Sequence, residues 1–155
     1  SVIKIQNNMK NKIELWQMYC YIKKLVAKKF RTNNIEGDFT EDLIADFYGG
    51  KLATASHKAY DFTVGSKRYQ VKARVAKKGK ITGSLSDIHY WQFDYLVVVL
   101  YNEDGTIKLV KELTKDEAEK LAYKNTGRDI LSVSSIKRQE VGKDITAAIK
   151  AKYGI

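Results

Sequence analysis

The spacing of apolar positions changes character along the chain. From about Lys10 to Arg31, KNKIELWQMYCYIKKLVAKKFR places Ile13, Trp16, Tyr19 or Cys20, Ile22 or Lys23, and Val26 or Ala27 near a helical repeat. That spacing predicts an amphipathic helix over residues 10–31, with Lys23, Lys24, Lys28 and Lys29 on its other face. TNNIEG reads as a loop. DFTEDLIADFYGG reads as a shorter helix with Asp38 as its N-cap, Leu43, Ile44 and Phe47 as its buried stripe, and Gly49-Gly50 as its end. KLATASHKA follows as a connecting stretch of low regularity.

The pattern then changes to the two-residue period of strands. Tyr60 to Val64 and Arg68 to Arg74 read as a hairpin joined at Gly65-Ser66. VAKKGKITGSLSD, with Gly79, Gly83 and like charges, reads as a mobile or ligand-ordered loop. FDYLVVVLYNEDG is the strongest strand signal, and TIKLVKEL is expected to pair with it through Asp104-Gly105. Thr114 with Glu117 three residues on has capping-box spacing, which starts a helix, and a last helix is expected over 144–153. Without proline, repeats or low-complexity tracts, residues 1–155 read as one domain of α+β class with a mixed sheet flanked by helices.

The hairpin can be worked out in more detail. A two-residue turn at Gly65-Ser66 sets Val64 against Lys67 and Asp61 against Gln70. Alternation places Gln70, Lys72 and Arg74 on one face with Asp61 and Thr63. Tyr60, Phe62, Val64, Tyr69, Val71 and Ala73 share the other. One register satisfies both strands, and it gathers an acid, an amide and an amine on the polar face. At this point a solvated hairpin face and a metal site both remain open.

Charge adds a partner. The chain has 28 Lys and Arg against 18 Asp and Glu, a net charge of +10, so a polyanion is the expected ligand, nucleic acid ahead of an anionic membrane. The single Cys20 makes no internal disulfide and has no zinc-type partner spacing, which argues for a reducing, intracellular and cytoplasmic setting. No apolar run reaches membrane-spanning or signal-peptide length, so a soluble protein without a membrane partner is expected.

With Glu41 in GDFTEDLIADF, Asp61 in AYDF and Gln70-Val71-Lys72 in YQVKAR, the chain resembles the PD-(D/E)XK nuclease superfamily, the restriction-endonuclease-like fold. FDYLVVVLYNEDG looks like the core strand after the hairpin in that fold, and the resemblance covers roughly residues 37–105. Tyr60 stands where proline is common in the family. Gln70 stands where an acid is commoner, as in restriction enzymes related to the Mrr type.

The resemblance implies a metal-dependent DNA endonuclease of prokaryotic or phage setting, with Asp61, Gln70, Lys72 and Glu41 as its catalytic residues. The chemistry also stands without the name. Phosphodiester hydrolysis builds negative charge that a divalent cation stabilises, and hard oxygen donors suit Mg²⁺, for which Mn²⁺ can substitute. Asp61 supplies the anionic oxygen, Gln70 an amide oxygen, Val71 a carbonyl, and Glu41 a carboxylate that reaches the site directly or through water. Asp38 and Glu41 also have the spacing of a capping pair, so Glu41 keeps both readings. Lys72 would orient the attacking water or stabilise developing charge, the alternative being a phosphate-binding or surface lysine.

Lys67, Arg68, Lys72, Arg74, Lys77, Lys78 and Lys80 follow one another with no acid between them, which suits the backbone of double-stranded DNA. Ser84, Ser86, His89, Tyr90, Trp91 and Gln92 are candidate base readers, although aromatic residues here equally suit a core. His57 and His89 lack partners at metal or triad spacing. A homodimer through the first helix would present two sites to a duplex. Two alternatives stand beside the enzyme: a nuclease-fold DNA-binding module in which Gln70 marks lost or weakened chemistry, and an RNA-binding accessory protein.

Overall fold

A computed structural model describes residues 9–54, 57 and 59–155. Ala55, Ser56 and Lys58 of the connecting stretch, and residues 1–8, lie outside the described residues. The chain divides into two compact units, residues 1–35 and 36–155. Among its described residues the first contains one helix, α1 (Met9–Ala27). It ends before the expected Arg31, through turn hydrogen bonds from Lys28 N–H to the Leu25 carbonyl and from Lys29 N–H to the Val26 carbonyl. The apolar side chains that define its period are exposed, Trp16 at 63% and Ile22 at 53% among them.

The second unit is built around a mixed six-stranded sheet, with helices on its flanks. Its order is β1 (Lys51–Leu52), β2 (Phe62–Val64), β3 (Lys67–Val75), β4 (Tyr95–Tyr101), β5 (Ile107–Thr114), β8 (Lys143–Asp144). Only β3 and β4 run parallel, and the long segment between them covers one face of the sheet. β4 is buried throughout after Tyr95, which is why its sequence is a continuous apolar run instead of an alternating one. The remaining elements are α2 (Ile35–Tyr48), α3 (Lys115–Leu121), the separate hairpin β6 (Tyr123–Asn125) with β7 (Arg128–Ile130), α4 (Val133–Ile136) and α5 (Thr146–Tyr153). Thr114 and Glu117 form the expected capping box at α3. Among the described residues no helix is long and apolar enough to cross a membrane.

The two faces of the sheet bury separate cores. Leu43, Ile44 and Ala45 of α2 and Ile149 of α5 pack with Phe62, Tyr69, Val71, Val97 and Val99 on one face. Ile81, Leu85, Ile88, Phe93, Leu131 and Ile136 pack with Leu96, Val98 and Leu100 on the other. The lysine-rich segment expected to be mobile or ligand-ordered is therefore anchored without a ligand, because Ile81 and Leu85 within it and Ile88 just after it insert into this second core.

A second correction concerns α2. The helix begins at Ile35, so Asp38 lies inside its first turn, 2% exposed, and is not an N-cap. Asp38, Glu41, Ile44 and Ala45 then follow one another at helical spacing on the inward stripe. The helix is fixed to β4 by Thr40: its hydroxyl donates to the Glu36 carbonyl at 2.7 Å and lies 2.8 Å from the Tyr101 hydroxyl. At its far end, a Cβ on Gly50 would come within 2.5 Å of Phe62 Cδ2 and 3.0 Å of the Thr63 carbonyl. Only glycine lets the chain leave α2 that close to β2.

Candidate active site

The turn at Gly65-Ser66 produces the expected register: Val64 opposite Lys67, Thr63 opposite Arg68, Phe62 opposite Tyr69. β2 stops there, while β3 continues beside β4 to Val75. Past Tyr69 the two strands part, and Asp61 sits where they separate. Its own N–H donates to the Tyr69 carbonyl at 2.8 Å, and its carboxylate accepts the Val71 N–H at 2.7 Å. The side chain thus replaces the backbone acceptor that another rung of the ladder would have provided. A strand residue sends its N–H and C=O to the same side, so the Val71 carbonyl also leaves β3 at this edge.

The break in the ladder also resets the side-chain alternation. Phe62 and Val64 pack on the α2 face as expected, but Tyr60 packs on the opposite one, among the core residues that include Leu85 and Ile88. Tyr60 therefore does not share a face with Phe62. Asp61 stands at the edge and not squarely on the polar face.

Gln70, Lys72 and Arg74 pair with Leu96, Val98 and Leu100, so the three share one face of β3, as their alternation requires. Lys72 is held by the segment that crosses this face: its ammonium donates to Ser86 Oγ and to the Asp87 carbonyl, each at 3.0 Å. Burial pulls the Lys72 pKa below its ordinary value, while the negative charges of Asp61, Asp87 and Glu41 oppose that shift. Glu41 comes from α2, which packs on the other face of the sheet, and its charge is the smallest of the three that act on Lys72. The negative charges of Asp61, Asp87 and Glu41 all act on Lys72, and Gln70 and Val71 lie beside it on β3.

Among the described residues no group of three or more His, Cys, Asp or Glu side chains could hold a metal ion. The candidate donors Asp61, Glu41, Gln70 and the Val71 carbonyl are two carboxylates, an amide oxygen and a backbone carbonyl. Their chemistry fits a hard divalent cation that keeps part of its water shell.

The basic run does not form a single patch. Lys67 lies at the start of β3 and Lys77, Lys78 and Lys80 beyond its end, so at the rise of an extended strand they stand roughly 25–30 Å apart. These four lysines are exposed. The two arginines have internal partners. Arg68 is bound to Asp94 through both its backbone N–H at 2.8 Å and its Nε at 3.4 Å. Arg74 donates to the Ser84 carbonyl at 2.7 Å.

Of the proposed base readers, Ser86, His89, Tyr90 and Gln92 are exposed. Ser84 shares a hydrogen bond with the Tyr123 hydroxyl at 2.9 Å. Trp91 is a structural residue: its indole N–H donates to Asp129 at 2.9 Å and its ring lies 5.5 Å from that of Phe93. Neither histidine joins a catalytic arrangement, His57 packing its ring at a tilt against Tyr60 with centroids 4.3 Å apart and His89 lying 3.2 Å from the Asp87 carboxylate. Sequence reasoning missed Asp87, which carries no signal of its own because its role depends on the fold returning it to Lys72.

No protein-family model matches the chain, and no curated protein matches it.

Proposed function

We propose that this chain is a metal-dependent DNA endonuclease with a restriction-endonuclease-like core, hydrolysing phosphodiester bonds at the edge where β2 leaves β3. The observation that supports this reading is Asp61 fixed by the Val71 N–H at the edge of β3, beside a buried Lys72 that Ser86 and Asp87 hold and on which the charges of Asp61 and Glu41 act.

Asp61, Glu41, Gln70 and the Val71 carbonyl would hold Mg²⁺ or Mn²⁺. When bound, the cation supplies positive charge to the scissile phosphate and acidifies water. The protein does the positioning. Asp61 is locked by the Val71 N–H, and α2 holds Glu41 through the Thr40 and Tyr101 contact. Lys72, kept at a lowered pKa, places an ammonium close to where charge develops and orients the attacking water. Exposed Lys67, Lys77, Lys78 and Lys80 favour duplex phosphates on either side, and a homodimer would deliver two such sites.

The deciding experiment incubates supercoiled plasmid with the protein, with and without Mg²⁺ or Mn²⁺, alongside Lys72→Ala. Metal-dependent nicking that the variant lacks while still binding DNA is the expected result. Binding without cleavage in either protein would make the chain a DNA-binding module, and preference for RNA over DNA at matched salt would make it an RNA-binding accessory.

A further inference from the structure

Residues 120–130, KLAYKNTGRDI, carry three cations and one acid, Asp129. They build a feature that the core does not require. β6 and β7 form a sheet of their own, and all three residues of β6 are exposed. The Lys124 and Arg128 side chains are 69% and 68% exposed. Thr126 and Gly127 close the tip with φ of 48° and 77°, the left-handed pair of a tight hairpin turn, so the ribbon has a defined shape.

An isolated two-stranded ribbon is marginal in water. This one is mounted rigidly. The Ile88 N–H donates to the Asp129 carbonyl and the Trp91 indole to the Asp129 carboxylate, each at 2.9 Å. The Tyr123 hydroxyl is fixed to Ser84 at the same distance. The mount is residues 84–91, the segment that also holds the Lys72 ammonium through Ser86 and Asp87. The hairpin and the proposed catalytic lysine therefore share one support.

We infer that the β6–β7 hairpin is a second DNA-contacting element, which sets Lys124 and Arg128 on duplex phosphates beside the cleavage site; this rests on the nuclease reading above. Both cations have carboxylate partners in the free protein, Lys124 with Asp129 at 2.7 Å and Arg128 with Asp87 at 4.0 Å. The cation of each pair is exposed although its carboxylate is only 23% or 20% so, and solvent screening keeps such pairs weak enough for a phosphate to take the carboxylate's place. Releasing Arg128 from Asp87 also links DNA engagement to the residue whose carbonyl holds Lys72.

The test is fluorescence anisotropy of a labelled duplex, without divalent metal, over a salt series. Removing both cations in Lys124→Ala/Arg128→Ala should make the slope of log K against log salt shallower by about 1.8, two phosphates at about 0.9 each. Arg128→Lys should restore about half of that loss in the Lys124→Ala background. Thermal melting at the wild-type temperature confirms that the double variant is folded. An unchanged slope in the folded double variant, or a wild-type chain that binds no duplex, overturns the inference. The two readings separate cleanly: Lys72-dependent nicking with an unchanged slope removes the hairpin's role alone, and a hairpin-dependent slope in a chain that nicks nothing removes the nuclease alone.

Discussion

The Asp61 carboxylate accepts the backbone N–H of Val71 at 2.7 Å, a side chain standing in for a strand at the point where β2 leaves β3. The same contact that fixes the acid therefore completes the hydrogen bonding of a buried strand residue, Val71 being 7% exposed.

Structure and chemistry at Asp61 can be separated by two substitutions. Asp61→Asn keeps an acceptor for Val71 and should leave stability within about 0.5 kcal/mol of wild type, while abolishing cleavage. Asp61→Ala removes the acceptor and should cost about 1–3 kcal/mol in urea unfolding as well as cleavage. Equal destabilisation by both would show that the carboxylate's role at this edge is not the one described.

Lys72 predicts a dependence of stability on pH. Its folded-state pKa lies below the ordinary 10.5 because burial disfavours the ammonium, so across the interval between the two values the unfolded chain binds more protons. Stability contributed at this position should therefore rise with pH through that interval. Tyr101, pushed up to about 12 by burial, acts in the opposite direction at the alkaline end, since its unfolded form ionises first. The Lys72 contribution is consequently read as the difference between wild type and Lys72→Met, which should narrow as pH rises if Lys72→Met is the more stable protein at neutral pH. A difference constant with pH would mean that the ammonium is not desolvated.

How far the sequence foretold this site depends on how local each feature is. The β2–β3 register was legible because a two-residue turn and a period of two leave one pairing that buries Phe62, Tyr69 and Val71 together. Residue identity alone does not reveal that β2 begins only at Phe62, so strict alternation puts Tyr60 on the wrong face. Asp38 looked like a cap because Asp before an apolar stripe usually is one, but the helix gains another turn from Ile35 and buries it. The β6–β7 hairpin escaped notice because its strands are three residues long and its first strand is wholly exposed, leaving no apolar alternation to detect. The Lys72 clamp is non-local altogether.

The position of Glu41 depends on the contact between α2 and β4. Thr40 donates its only proton to the Glu36 carbonyl, so the Tyr101 hydroxyl is the donor in the 2.8 Å contact between them. Thr40→Val should leave two polar groups without that partner and cost about 1–3 kcal/mol, Thr40 being 0% and Tyr101 3% exposed. Removing both hydroxyls in Thr40→Val/Tyr101→Phe should recover part of this loss. Cleavage should fall in Thr40→Val at a temperature where it remains folded, because the helix carrying Glu41 has lost its tether. Full activity in that variant would disconnect Glu41's placement from this contact.

Gln70 sets the demand for metal. It lies on β3 next to Val71 and offers an uncharged oxygen, so the proposed site would hold a divalent cation with one negative charge fewer than a carboxylate at this position would give. Weak binding follows, on the order of millimolar for Mg²⁺ with so few anionic ligands. Gln70→Glu restores that charge on an almost identical skeleton. Isothermal titration should show tighter Mg²⁺ binding in the variant, and plasmid nicking should begin at lower Mg²⁺. The added carboxylate also stabilises the Lys72 ammonium, countering the burial that lowers its pKa, so the pH profile of cleavage should move to higher pH together with the metal dependence. Tight metal binding by wild type, or a Gln70→Glu variant whose metal and pH dependences both match wild type, would place Gln70 outside the site.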